Sequence, residues 1–109
     1  MIDIPLSAIP AQSFTITLNE QNCRLKIYTR GARTYMDLYV DGEAVRQGML
    51  CLSGTRVLQY KTADFDGDFF FVDFKSEFQA PYYTGFDDRF RLFYFTSAEM
   101  EDYGLDGAI

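Results

Sequence analysis

The side chains that most often perform catalysis are scarce in this sequence. It contains no histidine, which excludes Ser–His and Cys–His nucleophile pairs and removes the commonest general base near neutral pH. Neither glycine-rich phosphate-binding pattern, GxxxxGK or GxGxxG, occurs in it. We therefore predict that the protein is not an enzyme and that it binds no cofactor.

Carboxylates are the remaining candidates for chemistry. Asp64, Asp66 and Asp68 resemble the start of a calcium-binding loop. However, Gly67 precedes the third acid, whereas an EF-hand has its glycine after it, and Lys75 stands where the bidentate glutamate belongs. We interpret the segment as a solvated turn and predict no metal site. A glycosidase-like carboxylate pair carries little weight, because 16 acidic residues make some close pair inevitable.

Cys23 and Cys51 are the only cysteines, and both lie in strand-like apolar segments. A free cysteine there behaves as a small hydrophobic residue. Two thiols without a histidine cannot complete a structural zinc site. The sequence leaves open whether the two cysteines form a disulfide. The sequence has no basic leader before an apolar core, and no apolar run approaches the roughly 20 residues of a membrane span. We expect a protein of the reducing cytoplasm that contacts no membrane.

The charge and the aromatic content together indicate the kind of partner. The net charge is −6, and the ten Lys and Arg residues do not cluster in the sequence, so a nucleic-acid backbone would repel the chain. Aromatic residues make up 17% of the chain, as eleven Phe and eight Tyr. Such residues favour strands and protein interfaces. The composition therefore predicts β structure that binds other proteins and not nucleic acid.

The first twelve residues should be extended. Ile-Pro pairs occur at positions 4–5 and 9–10. Proline fixes φ and moves the preceding residue out of the helical region, so we predict an arm over residues 1–12. Its apolar side chains must dock on the domain's own core or on a neighbour. We expect a chain without residues 1–10 to fold but not to assemble.

Residues 13–100 are predicted to form a single β domain. Apolar and polar residues alternate in four successive segments joined by short turns, and Asp41-Gly42 supplies the positive φ angles of a type I′ hairpin. Strand patterns also follow around Phe70 and Leu92, and Ser97 could cap one helical turn. We predict an all-β fold, a small antiparallel β-barrel or sandwich of about six to eight strands. A frayed tail over residues 101–109 completes the chain.

Several aromatic side chains fall opposite the inward set of their strand. We assign Phe70, Val72 and Phe74 to the inward face of one strand, which leaves Phe69 and Phe71 outward. Exposed together, the outward rings would exceed the apolar patch that soluble monomers usually show. The alternative to an exposed patch is a closed barrel or sandwich in which the arm or a loop covers these outward rings. The candidate interface residues are Ile4, Pro5, Leu6, Ile9, Tyr35, Tyr39, Phe69, Phe71, Phe93 and Phe95.

Three motifs carry a resemblance to a known family. Residues 4–14 fit the pattern IPLxxIPxQxF, residues 35–39 read YxDLY, and residues 85–94 read GFDDRFRLxY. Across residues 2–96 the chain resembles the small baseplate plug proteins of contractile-tailed bacteriophages, which are known from a cyanophage. The double Ile-Pro opening with Gln12 and Phe14 is the most specific part of this likeness.

The resemblance implies a structural role in the virion. Such a protein would lie at the centre of the tail tip, against hub and spike subunits, after assembly in the host cytoplasm. A homo-oligomer, and by analogy with the tail axis a trimer, would suit that position. The family has no active-site residues to transfer to this chain.

Two other kinds of function stay open at this point. One is a carbohydrate-binding β domain that stacks sugars on Tyr82, Tyr83 or Phe86. The other is a small acidic inhibitor that acts free in an infected cell. Flanking tail genes would favour the plug, whereas flanking early genes would favour the inhibitor.

Overall fold

The residues that the structure describes form seven strands in two sheets. The computed structural model describes residues 1–59 and 62–102. All strand pairs are antiparallel, and the strand orders are β2-β3-β4-β5 and β1-β7-β6. This confirms the all-β prediction as a sandwich, and the described residues form no closed barrel. The strands are β1 (Ile2–Ile4), β2 (Ala11–Leu18), β3 (Gln21–Arg30), β4 (Arg33–Val40), β5 (Glu43–Cys51), β6 (Asp68–Asp73) and β7 (Phe90–Phe95).

Two-residue turns explain why β2 to β5 form a meander. Asn19 and Glu20 both have positive φ, at 51° and 62°, between the paired residues Leu18 and Gln21. The predicted turn at Asp41-Gly42 has φ values of 52° and 82° and joins β4 to β5. Positive φ at both central residues matches the right-handed twist of neighbouring strands. Local sequence alone therefore sets the connections of this sheet.

A crossover segment, residues 52–59, connects the two sheets along one side of the sandwich. The Gly54 N–H donates to the Phe71 carbonyl at 2.8 Å, and the Val57 N–H donates to the Phe69 carbonyl at 3.0 Å. These bonds occupy the outer edge of β6. The sandwich is consequently closed on this side by the chain itself.

Asp68, at the start of β6, holds this crossover segment in place. Its wholly buried carboxylate accepts from Arg56 Nε at 2.9 Å and from the Leu58 and Phe69 N–H groups at 2.8 and 2.7 Å. Burial raises the pKa of Asp68, while these donors act against that rise. A buried carboxylate is tolerated only when such donors replace its hydration.

The predicted arm is part of the three-stranded sheet. Ile2 pairs with Tyr94 and Ile4 with Leu92, so β1 forms an edge of that sheet. Ile4 and Leu6 are buried in the domain's own core, whereas Pro5 and Ile9 are exposed. Residues 2–4 are extended as a strand, but the side chains of Ile4 and Leu6 point into the core between the sheets, while Ile2 stays 40% exposed. We therefore revise the expectation for the truncated chain, because removing residues 1–10 would open the core.

Gln12 fastens the remainder of the opening segment to β2. Its side-chain amide accepts from the Ser7 N–H at 3.0 Å and donates to the Ser7 carbonyl at 2.8 Å. The amide thus pairs with Ser7 as a neighbouring strand would. This contact gives the glutamine of the IPLxxIPxQxF pattern a structural purpose.

The face assignment for β6 was wrong. Phe69 and Phe71 are wholly buried, whereas Val72 and Phe74 are 37% and 56% exposed. Residues opposite each other in an antiparallel pair share a face, and Phe71 lies opposite the wholly buried Leu92 of β7. Because β6 is apolar on both sides, its own pattern could not decide which side faces inward.

A short helix, α1 (Ser97–Asp102), follows β7. Thr96, rather than the predicted Ser97, caps it: the Glu99 N–H donates to Thr96 Oγ1 at 3.1 Å, and the Thr96 N–H donates to Glu99 Oε1 at 3.0 Å. This reciprocal pair is a capping box. The predicted frayed tail lies outside the described residues beyond position 102. Within the described residues, no helix has the length and apolarity needed to cross a membrane.

The two cysteines lie at opposite ends of the four-stranded sheet. Cys23 is opposite Val40, and Cys51 is opposite Thr34. At about 3.3 Å per strand residue the thiols are about 20 Å apart, beyond the reach of a disulfide. Burial raises the pKa of Cys23 to about 11 and raises that of Cys51 as well. Both thiols therefore stay protonated and serve as core side chains.

Ile4→Ala should destabilise the protein by about 2–5 kcal/mol, because it leaves a cavity beneath β1, where Ile4 is 1% exposed. The matched control Ile9→Ala should change stability by less than about 0.5 kcal/mol, since Ile9 is 44% exposed. Urea unfolding followed by circular dichroism measures both. Equal, small effects would mean that the opening segment is not part of the core.

Candidate protein interface

The outer surface of the three-stranded sheet is apolar and aromatic. We call it the aromatic face, and its most exposed members, Val72 and Phe74, are 37% and 56% exposed. Phe93 and Phe95 are half-buried on β7. Large side chains with this exposure are the usual signature of a contact surface. The face comprises Phe70, Val72, Phe74, Arg91, Phe93 and Phe95.

Ring contacts hold the aromatic face in a defined arrangement. The Phe74 and Phe93 rings stack with centroids 6.4 Å apart, and the Phe70 and Phe95 rings meet edge to face at 5.5 Å. The Arg91 guanidinium lies 5.7 Å from the Phe74 ring centroid and pairs with the Asp3 carboxylate. A preorganised face of this kind loses little side-chain entropy when it binds.

Asp73, at the end of β6, positions the loop beside this face. Its carboxylate accepts two bonds from Arg89, at 2.9 and 3.0 Å, and one each from the Lys75 and Gln79 N–H groups. The Arg89 guanidinium, with these backbone donors, holds the pKa of Asp73 well below its usual range. The loop so fixed carries Phe78, whose side chain is 76% exposed.

The outer surface of the four-stranded sheet is mixed rather than apolar. Tyr28 and Tyr35 stack at 6.1 Å, and the Tyr39 ring lies 5.1 Å from Lys26 Nζ. Gln47 Nε2 donates to the Tyr39 hydroxyl at 2.6 Å. These tyrosines are half-buried, and the Tyr28 hydroxyl also donates to Asp37 Oδ1 at 2.9 Å. This second surface is therefore more polar than the aromatic face.

The predicted interface residues divide into four groups. Phe93 and Phe95 come together on the aromatic face, and Tyr35 and Tyr39 share the opposite surface of the sandwich. The other aliphatic and aromatic candidates of β1 and β6 lie in the core between the sheets. Those core residues are Ile4, Leu6, Phe69 and Phe71, while Pro5 and Ile9 are exposed in the opening segment.

Sequence reasoning missed Phe74 and Phe78. Phe74 was assigned inward by the wrong face of β6, although its place after Asp73 at the end of the strand was a usable signal. Phe78 stands alone among polar residues in the 75–88 loop, where no core pattern requires an aromatic side chain. An isolated ring in a polar loop can thus mark a contact residue.

Comparison with known protein families decides which family this is. Residues 1–98 match the family model described as "Cyanophage baseplate Pam3 plug gp18". The chain belongs to this baseplate plug family. None of the curated proteins compared with the plug matches it. The plug is thus a bacteriophage virion structural protein that interacts with other components of the tail baseplate.

The acidic residues of the calcium-like segment have separate roles in the described part of the chain. Asp68 is buried against Arg56, whereas Asp66 accepts from Asn19 at 2.6 Å, so the acids of the calcium-like segment serve different contacts. Among residues 1–59 and 62–102, no group of three or more metal-ligating side chains converges. The family match lends no support to the carbohydrate-binding or inhibitor functions.

The proposed sugar platform is also absent from the described surface. Phe86 is 5% exposed and stacks on the core ring of Phe71 at 5.8 Å. Tyr82 and Tyr83 are half-buried and pack against the core, with their centroids 4.8 Å apart and their planes tilted by 43°. Stacking of a sugar needs an open ring face, which these three side chains do not share.

Asp73→Asn should lower the melting temperature at neutral pH. The depressed pKa of Asp73 means that its ionised form stabilises the fold above about pH 4, its unfolded pKa, and that this stabilisation is lost as the pH falls further. When the pH is lowered, the melting temperature of the Asp73→Asn variant should therefore fall less than that of the wild-type protein. Thermal melts from neutral to strongly acidic pH test this, with the exposed Asp88→Asn as control; identical acid profiles for both variants would contradict it.

Proposed function

We propose that the plug acts only by protein–protein contact, against hub and spike subunits at the tail tip. The family match over residues 1–98 carries this proposal. The aromatic face is the contact surface that we assign to it. Its assembly takes place in the host cytoplasm, and it uses neither nucleic acid nor membrane.

The energetics of the aromatic face support this assignment. Burying one aromatic side chain fully contributes about 1.5–3 kcal/mol, and Phe74 and Val72 still expose 56% and 37% of their surface. Covering the face with a partner would therefore supply several kcal/mol. Aromatic residues near the centre of an interface are also those that most often dominate binding.

Charged groups surround this apolar centre. The Asp3–Arg91 pair lies towards β1, and the Arg89–Glu77 pair, at 2.8 Å, lies towards the loop. An apolar core with a polar rim is the usual anatomy of a protein interface. The rim charges would orient the partner, while the rings would supply most of the affinity.

A second contact surface fits the remaining candidates. Tyr35 and Tyr39 are half-buried on the outer surface of the four-stranded sheet, and Pro5 and Ile9 are exposed in the opening segment. A subunit in a baseplate has neighbours on more than one side. We therefore propose that these residues contact a different subunit, or a second copy within a homotrimer.

The absence of catalysis is part of the same proposal. Three carboxylates have shifted pKa values, and each serves the fold: Asp68 and Asp73 hold arginines and backbone N–H groups, and Glu99 caps α1 and binds the N-terminal amine. The thiols of Cys23 and Cys51 are buried and protonated. Perturbed groups at an active site instead face a cleft that admits substrate.

Phe93→Asp should prevent incorporation of the plug into tails while lowering its stability by only about 1–2 kcal/mol, because the half-buried ring gives up part of its burial. Phe93→Leu, which keeps the face apolar, should still assemble. Complementation of a plug-deficient phage, with tails counted by electron microscopy, measures assembly. Normal tails from a folded Phe93→Asp protein would contradict the assignment of this face.

A further inference from the structure

Among residues 1–59 and 62–102, no strand pairs with the outer edge of β2. At the start of the strand the Thr29 N–H donates to the Pro10 carbonyl at 2.9 Å, and at its end Leu18 pairs with Gln21. Backbone groups alternate in direction along an antiparallel strand, so even-numbered residues face β3. The N–H and C=O groups of Ala11, Ser13, Thr15 and Thr17 therefore point away from the sheet.

The other three sheet edges of the described chain are blocked. β6 pairs with the crossover segment, and β1 has only three residues before Pro5. β5 is interrupted by a register shift near Gly48, which has φ of 67°. In addition, Arg46 Nη1 of β5 donates to the Leu58 carbonyl of the crossover segment at 3.0 Å. Short length, bulges and covering segments are the devices that prevent strand addition.

β2 has none of these devices. Its eight residues, AQSFTITL, contain no charge, no proline and no glycine, and its register with β3 is continuous. Natural edge strands usually carry a lysine, a proline or a bulge, because an open edge pairs with any extended chain. An unprotected edge in a protein that works by assembly is therefore a binding surface.

A groove beside this edge can receive apolar side chains. Phe14 and Ile16 point towards the core but are only half-buried. With Pro5 and Ser7 of the opening segment they line the space between β2 and the second sheet. Side chains at alternate positions of an added strand would enter this space and complete the sandwich on its open side.

The outer surface next to the edge is basic, although the chain has a net charge of −6. β2 and β3 contain no Asp or Glu, while β3 carries Arg24, Lys26 and Arg30. Arg24 extends over β2, and its Nε donates to Ser13 Oγ at 3.1 Å. Because the outward residues of β2 are small, Arg24 can reach a carboxylate on the next strand.

We propose that the β2 edge binds an extended segment of another baseplate protein in which apolar side chains alternate with Asp or Glu. The apolar side chains fill the Phe14–Ile16 groove, the acidic ones face Arg24, and the backbone pairs with β2. This site deepens the proposed function, since it adds a second mode of contact to the aromatic face. Binding at the β2 edge can nevertheless be tested independently of the aromatic face.

Two capped eight-residue peptides, one alternating Val with Glu and one alternating Val with Lys, provide the test. Titrated into the ¹⁵N-labelled plug, the Val/Glu peptide should shift the amide signals of Ala11, Ser13, Thr15 and Thr17. It should also bind at least about fivefold more tightly than the Val/Lys peptide. Non-specific attraction to an acidic protein would give the opposite preference, so equal or tighter binding of the Val/Lys peptide overturns the proposal.

Thr15→Pro removes one outward N–H and should abolish binding, whereas Thr15→Val keeps the N–H and should bind normally. If Thr15→Pro fails to fold, Arg24→Glu decides instead: it should weaken the Val/Glu peptide by about fivefold. No shift at the β2 amides of the wild-type plug overturns the proposal and leaves the aromatic face unaffected. A dimer detected by sedimentation would also overturn the proposal if Thr15→Val retains the dimer and Thr15→Pro or Arg24→Glu abolishes it. That result would assign the β2 edge to a second copy of the plug.

Discussion

Two buried carboxylates at the ends of β6 determine how the less regular half of this protein folds. Asp68 binds Arg56 and two backbone N–H groups at one end of the strand, and Asp73 binds Arg89 and two others at the opposite end. Removing one partner of a buried ion pair typically costs about 3–5 kcal/mol. The crossover segment is therefore tied to the edge strand β6 by backbone hydrogen bonds and by Asp68, and Asp73 ties the 75–88 loop to the same strand.

This arrangement has a direct consequence for the surface. With its ends fixed, β6 directs Phe69 and Phe71 inward, opposite Tyr94 and Leu92 of β7, and Val72 and the following Phe74 are left 37% and 56% exposed. Such exposure is unfavourable for a free monomer and becomes favourable once a partner covers it. A baseplate plug interacts with other components of the baseplate, and this explains why the sequence retains Val72 and Phe74 outside the core.

The two sides of the sandwich differ for a related reason. On one side the crossover segment closes the gap between the sheets, and on the other only the Gln12–Ser7 contact joins β2 to the opening segment. A closed barrel would have no open edge and hence no site for strand addition. The open side is where we propose a backbone-mediated contact, in addition to the one that we assign to the aromatic face.

The sequence alone determined the local features: the alternating strands of the meander, the Asp41-Gly42 hairpin and the lack of histidine. The opening motif also led to the family, because its residues serve the fold itself, with Ile4 and Leu6 in the core and Gln12 bound to Ser7. These features depend on near neighbours in the chain or on residue types, both of which a sequence displays directly.

Only the tertiary structure decided which side of β6 faces inward and hence which rings are exposed. That choice comes from Leu92 and Tyr94 on a strand about 20 residues away, and from Asp68 and Asp73, whose arginine partners lie 12 and 16 residues distant. A strand that is apolar on both sides has no pattern of its own from which to read a face. The interface thus depends on long-range pairing, which a single sequence does not display.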